Sequence, residues 1–376
     1  MHARAERCII NCKILLSRTV RKAPTMRQEA WPVNKFTMSN LALLMSYKVS
    51  AKEIEKIIDK LEIIPADNLY AVSSESANIA SLQVLVKRYS SLSDYIVDMN
   101  LYVADAVNRR AQLVCFPAHT GLLPVSLVPQ AEKSVVSLRS SGEEEIDPAA
   151  LHKILSYFSD FAFEAYFQTM AALAARHRIY IAAGSTLYFE EDELRHRAFL
   201  FNHKGDLAGY QDKLALSKLE HEMGIEPAGE LKLFDTPVGL LSILTGSDAD
   251  YFELARIAKN LGAQLLLCPG AFKGEYTPIM STLGLNMRVQ ESKLYGVQSA
   301  LVGDPGLGFS MEGGCAIFAP NEMVKRKNGI VARASGGFEP DVVCAPLNLD
   351  RLELIQNPYH YDKNRDFMHK YVDRLY

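Results

Sequence analysis

Residues 236–253, with the sequence TPVGLLSILTGSDADYFE, decide the fold of this chain. They begin with an apolar run of strand length at 238–244, which the turn-forming residues 245–248 interrupt. Apolar residues at helical spacing follow at 253–261. The pattern predicts a strand, a sharp turn and a helix in direct succession.

A second apolar run completes this unit at 264–268 and is expected to end at Pro269-Gly270. The result is a βαβ unit, in which the loop after the first strand lies at the carboxyl edge of the sheet, where α/β folds place their chemistry. The helix start carries two predicted capping boxes, Ser247 with Asp250 and Asp250 with Glu253. Such a turn can present a nucleophile beside free amides, but its tip is Gly246, which has no reactive atom.

The composition is that of an ordinary globular protein. The 376 residues are 48% hydrophobic and 23% charged, and 41 basic against 44 acidic residues give a net charge of −3. This balance creates no global field that would attract nucleic acid or an acidic membrane surface. No run approaches the roughly 18 consecutive apolar residues of a membrane-spanning helix. We therefore predict neither a nucleic-acid partner nor a membrane partner.

The six cysteines are scattered and indicate a reducing compartment. Cys115 and Cys268 lie within apolar strands and are expected to be buried free thiols. Cys8 and Cys12 have no second ligand pair nearby, so the sequence does not favour a zinc site there. We predict a cytoplasmic protein without a metal or other cofactor.

Helical and strand patterns alternate through most of the chain, which predicts a single α/β domain. Helices are expected at 50–64, 92–109, 148–178 and 283–295. Strands are expected at 82–86, 111–116, 179–185, 197–201, 207–210, 296–302, 315–318 and 342–349.

The domain is expected to span residues 80–352, between extensions at both ends. Residues 38–79 would form a short helical extension and 353–376 a C-terminal extension. Residues 1–37 are basic and poor in acid. Such a leader can be a transit peptide, a disordered arm, or sequence upstream of a true start at Met26 or Met38.

Six motifs in a fixed order carry a resemblance to a known family: VCFPA at 114–118, AAGS at 182–185, RAFLFNHKG at 197–205 with YQDK at 210–213, GSD at 246–248 with YFE at 251–253, LGA at 261–263 and NLD at 348–350. In this order the chain resembles the nitrilase, or carbon–nitrogen hydrolase, superfamily. The resemblance covers about three quarters of the sequence. It implies an αββα sandwich that assembles into a homodimer or a larger homo-oligomer.

The family's reaction is attack on an amide or nitrile carbon by a cysteine, with a glutamate as general base and a lysine that stabilises the oxyanion. The resemblance puts Lys213 at the lysine position. It puts Ala118 at the base position and Gly246 at the nucleophile position, and neither can perform that chemistry. A second glutamate of many members corresponds to Glu222 or Glu220.

Three functions therefore stay open. The first is a catalytically degenerate member that binds a small amide or carboxylate, or that serves as a scaffold. The second is an active hydrolase with displaced groups, in which Thr245 or Ser247 is the nucleophile and His119 the base. The third is a protein whose basic leader binds an acidic partner.

Overall fold

A computed structural model of the chain describes residues 49–73, 75–128, 147–277, 280, 282–306, 309–356 and 370. The predicted leader at 1–37 lies outside these residues, as do Cys8 and Cys12. In chain order the α-helices, α1 to α7, span Ala51–Ile58, Leu92–Asn108, Pro148–His177, Lys218–Glu222, Phe252–Asn260, Met287–Ser292 and Leu349–Gln356. The strands, β1 to β13, span Ala77–Leu85, Leu113–Cys115, Tyr180–Glu190, Glu193–Phe201, Leu207–Asp212, Phe234–Thr236, Gly239–Ile243, Leu265–Lys273, Tyr295–Val302, Met311–Glu312, Ala316–Phe318, Ile330–Arg333 and Asp341–Leu347.

The strands form one continuous sheet whose main path runs β5-β4-β3-β2-β1-β9-β8-β7-β6. The central pairs are parallel, from β3 through β2 and β1 and from β9 through β8 to β7. The outer pairs at both ends of the path are antiparallel hairpins. Parallel pairing brings the carboxyl ends of β2 and β7 to the same edge of the sheet, which is where the predicted site residues follow.

Alternation along the strands divides the side chains between the two faces of the sheet. On β8, Leu265 and Leu267 pack into the core between the two halves of the sheet, whereas Leu266 and Cys268 face the side covered by α5 and α6. On β2, Leu113 belongs to that inner core and Val114 to the cluster beneath α2 and α3. Because successive side chains of a strand point to opposite faces, both faces of the sheet are buried. The architecture is the predicted αββα sandwich.

The βαβ unit predicted from the deciding stretch is confirmed, since β7 and β8 are parallel neighbours joined by α5. The predicted end of β8 at Pro269 is wrong, because the strand continues to Lys273. The carbonyl of Leu267 accepts from the amide of Leu244, just after the end of β7. Residues two apart on a strand point their backbone groups to the same side, so the nitrogen of Pro269 also faces β7, at a point where β7 has already ended. Proline is tolerated there because no ladder hydrogen bond is lost.

Three further predictions differ from the structure. The helix expected at 283–295 is shorter: Gly284 has a non-helical backbone (φ −78°, ψ −130°) and Lys293 adopts a left-handed conformation, so α6 is confined between them. The helix expected at 50–64 ends earlier, and the Ser50 side chain makes no capping hydrogen bond. The predicted capping boxes before α5 do not form. Instead Asp248 accepts from the amide of Thr245 within the turn itself.

No helix in the described ranges has the length and apolar character needed to cross a bilayer.

Candidate functional site

The turn after β7 is a tight elbow with Gly246 at its tip. A short 3-10 turn, Gly246–Asp250, follows the strand and leads directly into α5. Gly246 has a φ of +56°, in the left-handed region that side chains other than glycine rarely adopt. The elbow therefore has the geometry predicted for presenting a nucleophile, while its tip residue contributes no side chain.

Asp248 fixes the segment after β5 against this elbow. Its buried carboxylate accepts hydrogen bonds from the amides of Leu214 (3.1 Å), Ala215 (2.6 Å) and Thr245 (3.0 Å). The hydroxyl of Ser247 donates to the carbonyl of Ala215 at 3.0 Å. These hydrogen bonds hold residues 214–215 against the elbow at 245–248. They thereby position Lys213, which directly precedes Leu214.

Lys213 lies beside the tip of the elbow. An ideal Cβ on Gly246 would stand 3.8 Å from Nζ of Lys213, the one described atom within 4 Å apart from the neighbouring residues. The lysine is buried, and its Nζ donates to Oε2 of Glu220 at 2.5 Å. A buried ammonium needs such a partner, because removal from water without one is costly. The ammonium of Lys213 is therefore held by a carboxylate and also faces position 246.

Glu220, and not Glu222, is the carboxylate beside Lys213. Glu220 is the third residue of α4 in a capping box with Ser217, whose amide donates to Oε2 at 2.8 Å. Oε1 contacts Nδ1 of His196 at 2.8 Å. Burial alone would raise the pKa of Glu220, but contacts with His196 and Lys213 outweigh burial and lower it. Glu222 is half-exposed and its nearest described cation is Lys218, at 3.8 Å.

His196 continues the network toward the end of β2. Burial lowers the pKa of this imidazole against the opposing influence of Glu220, which favours the neutral ring. Because an ionised carboxylate only accepts, Nδ1 carries the ring proton and Nε2 accepts from the hydroxyl of Ser185 at 2.7 Å. The Ser185 oxygen in turn accepts from the amide of His119 at 3.1 Å. A continuous chain of contacts thus joins the loop after β2 to Lys213.

Ala118 and His119 form that loop after β2. Ala118 is 2% exposed, and its methyl group can neither accept nor donate a proton. His119 has a φ of 60° and stacks on His196 with ring centroids 4.7 Å apart. Burial, with a smaller effect from His196, lowers the pKa of His119 to about 3. Its Nδ1 is buried and has no hydrogen-bond partner within the described part of the chain.

The two hydroxyls proposed as displaced nucleophiles are not activated. Ser247 donates its proton to the carbonyl of Ala215, and Thr245 is 1% exposed. A general base works best when its pKa is near the operating pH, and the pKa of His119 is far below that range. The structure therefore brings Ala118, His119, Lys213, Glu220 and Gly246 to one site but gives neither hydroxyl a base.

Gly246 also lines a pocket of about 210 Å³. Cys268 and Gln298 are buried in its lining, whereas Asp250 is exposed and marks its mouth. Burial raises the pKa of the Cys268 thiol, which keeps it neutral and unreactive. Among the described residues no group of three His, Cys, Asp or Glu side chains is arranged to hold a metal ion.

Sequence reasoning missed Ser185 and His196. Both lie on antiparallel partners, β3 and β4, and both face the buried side of the sheet. The predicted strand begins at residue 197, so His196 lay just outside it, whereas the observed β4 begins at Glu193. Nothing in the sequence says which carboxylate the imidazole meets.

Gly246→Ala should lower the free energy of unfolding by about 1 kcal/mol, because a Cβ is disfavoured at positive φ. No steric clash adds to this cost, since the nearest described atom outside the adjacent residues is 3.8 Å from the new methyl group. Urea denaturation measures the effect. Gly224→Ala is a matched control, with a φ of +74° and no described atom within 4 Å. A loss above about 3 kcal/mol at position 246 alone would contradict strain as the sole cause.

Comparisons with known proteins identify the family and the fold. The sequence model of the carbon-nitrogen hydrolase family matches residues 78–356. A probable hydrolase of Bacillus subtilis, YhcX, is 26% identical over 287 residues, which cover 75% of this chain and 52% of that protein. The chain thus spans about half the length of this relative. The omega-amidase NIT2 of Bos taurus is 25% identical over 223 residues, 56% of this chain and 78% of that protein.

Solved structures support the fold. The crystal structure of an amidase from Nesterenkonia sp. superposes with a TM-score of 0.56 at 19% identity and covers 79% of this chain and 98% of its own. Mutants of the amidase from Nesterenkonia sp. AN1 have been solved in complex with butyramide and with the acetamide moiety of fluoroacetamide added covalently at the active-site cysteine. At this identity the likeness concerns the fold alone. With a family model that matches well over half of its length, the chain belongs to the carbon–nitrogen hydrolase, or nitrilase, family.

Proposed function

We propose that this chain is a nitrilase-family protein without cysteine amidase chemistry, whose retained pocket binds a small amide or carboxylate. In this proposal Gly246 stands at the nucleophile position, Ala118 at the base position and Lys213 at the oxyanion position. Glu220, rather than Glu222, is the second acid of the family. Two groups that make and break bonds are then absent, while the scaffold that would hold them is retained.

The observation that carries the proposal is the relation between Gly246 and Lys213. A side chain at position 246 would begin 3.8 Å from the ammonium, at the tip of an elbow that leads into α5. That is the arrangement in which a thiolate is stabilised by a nearby cation and by free amides. Glycine supplies no atom that can attack a carbonyl carbon, so the arrangement has no nucleophile of its own.

The same reasoning disfavours a hydrolase with displaced groups. Such an enzyme needs a hydroxyl whose proton passes to a base within hydrogen-bond reach. The Ser247 proton is donated to a carbonyl, and the Nδ1 atom of His119 has no partner in the described ranges. No described contact of Ser247 or His119 therefore provides the proton transfer that turnover needs.

Self-association is part of the proposal. Helix α5 and its flanks expose large apolar side chains: Phe252 is 49% exposed, Ile257 45% and Leu261 54%. Apolar surface of this kind is typical of a protein interface. Together with the family resemblance, it supports a homo-oligomer, which sedimentation of the full chain would measure.

The chemical part is tested with fluoroacetamide and butyramide on the full-length protein. We expect intact-mass analysis to find no acetamide adduct and an ammonia assay to find no release above the buffer rate. The Lys213→Ala variant is the control, because ammonia released by a contaminating enzyme would be the same in the variant as in the unsubstituted protein. An adduct mapped to Thr245 or Ser247, or ammonia release that Lys213→Ala abolishes, would refute the proposal and favour the displaced-group hydrolase.

A further inference from the structure

The pocket beside Gly246 is small, mostly apolar and charged at one place only. Its described lining includes the apolar side chains of Ala249, Phe272 and Leu285. At about 210 Å³ the pocket suits a small ligand. The polar groups that could orient such a ligand are therefore few, and their charge decides which ligand class is favoured.

Asp250 is the single charged residue in the described lining. Its backbone carbonyl accepts from Nη1 of Arg288 at 2.9 Å, which fixes the residue at the mouth. Its Oδ1 lies 4.0 Å from the position that a Cβ on Gly284 would occupy, and Gly284 also lines the pocket. The Asp250 carboxylate therefore lies next to Gly284, whose lack of a side chain leaves space at the mouth of the pocket.

The nearby cations are already paired. Nζ of Lys213 is bound to Glu220, and this lysine is not among the lining residues. Nε of Arg288 lies 3.0 Å from Oε2 of Glu291. Burial raises the pKa of Asp250, and the smaller effects of Arg288 and Lys213 lower it. Asp250 is thus the one charge in the described lining, and the ion pairs of both cations weaken their influence at the mouth.

Deeper in the pocket the polar groups are neutral. The Cys268 thiol is protonated, because burial raises its pKa. The amide nitrogen of Gln298 donates to Oη of Tyr276 and to the carbonyl of Gly314, which holds the side chain in place. A neutral polar group on the ligand suits this floor, whereas a charged one would be desolvated without a partner.

We propose that the pocket takes a small amide that carries a protonated amino group, with the amine at Asp250 and the neutral amide toward Gln298. The inference rests on the proposed function, because it concerns the same pocket and narrows its ligand class. It disfavours the carboxylate ligands that the family resemblance leaves open, since a carboxylate at the mouth would face Asp250.

Three probes of similar size separate these ligand classes: 4-aminobutanamide is cationic, pentanamide is neutral and succinamate is anionic. Calorimetric titration of the full-length protein at low salt should give about fivefold tighter binding of 4-aminobutanamide than of pentanamide, as expected for one exposed ion pair. Succinamate should bind more weakly than both. The preference should shrink when salt is added, because Asp250 is exposed and screened.

The variant Asp250→Asn should bring the ratio of 4-aminobutanamide to pentanamide affinity close to one, whatever its effect on pentanamide binding itself. The matched control is Asp235→Asn, an exposed aspartate on β6 that does not line the pocket. An unchanged preference in Asp250→Asn, tighter binding of succinamate, or no binding of any probe would overturn this inference. Hydrolysis of a bound probe would instead overturn the proposed function and leave the charge preference standing.

Discussion

The Ala118→Glu/Gly246→Cys double variant should be alkylated by iodoacetamide at position 246 about tenfold faster than the Gly246→Cys single variant. In both variants the introduced thiol would lie beside Lys213, since a Cβ at position 246 is 3.8 Å from Nζ. The double variant alone also has a carboxylate at the end of β2 that can accept the thiol proton. Labelling rates with peptide mapping measure the difference.

The matched control is Ala118→Gln/Gly246→Cys, which has the same bulk at position 118 but no base. Ala118 is 2% exposed, so both larger side chains should destabilise the fold by about 1–3 kcal/mol through overpacking. Any difference between the two double variants then reports proton transfer and not repacking. Equal labelling of the glutamate and glutamine variants would mean that residue 118 does not stand at the base position.

Background labelling should be slow at the two native cysteines nearest the site, Cys115 and Cys268. Burial raises the pKa of Cys115 to about 12 and raises the pKa of Cys268 as well, so both thiols stay protonated at neutral pH. Only the thiolate reacts with the probe. A strong signal at Cys115 or Cys268 would show that the substituted site has opened, which peptide mapping distinguishes from a reactive thiol at position 246.

Local pattern was enough to predict the unit that carries the elbow. The apolar run of β7, the turn residues at 245–248 and the helical spacing of α5 each act over a few residues, so the sequence contains the whole signal. The end of β8 could not be predicted in the same way. Whether Pro269 ends a strand depends on where the neighbouring strand β7 stops, which is a property of the sheet and not of the local sequence.

The site was predictable only in part, for the same reason. Motif order led to Lys213, Ala118 and Gly246, which the structure brings to one edge of the sheet. The choice between Glu220 and Glu222 depended on which face of α4 meets Lys213. The two residues are two positions apart and therefore lie on different faces of the helix, in different surroundings. His196 connects to Glu220 across separate elements, and no spacing in the sequence encodes that contact.

Glu220→Gln should lower the free energy of unfolding by about 3 kcal/mol or more, because it leaves a buried ammonium without a counter-charge. The carboxylate accepts from Lys213, His196 and the amide of Ser217, and a glutamine side chain has a single acceptor oxygen for these three donors. Exposure cannot relieve the loss, since Lys213 is 5% exposed. Urea denaturation at neutral pH measures the change.

Glu222→Gln is the matched control for this prediction, two residues away on the same short helix. Its carboxylate is half-exposed and 3.8 Å from Lys218, so its loss should cost less than about 0.5 kcal/mol. Adding Lys213→Met to Glu220→Gln should recover part of the lost stability, because the unpaired charge is then removed. If Glu220→Gln costs no more than Glu222→Gln, or if the second substitution makes the protein still less stable, Glu220 does not neutralise Lys213 in solution. Position 246 would then lie beside an uncompensated cation, and the pocket should prefer succinamate to 4-aminobutanamide.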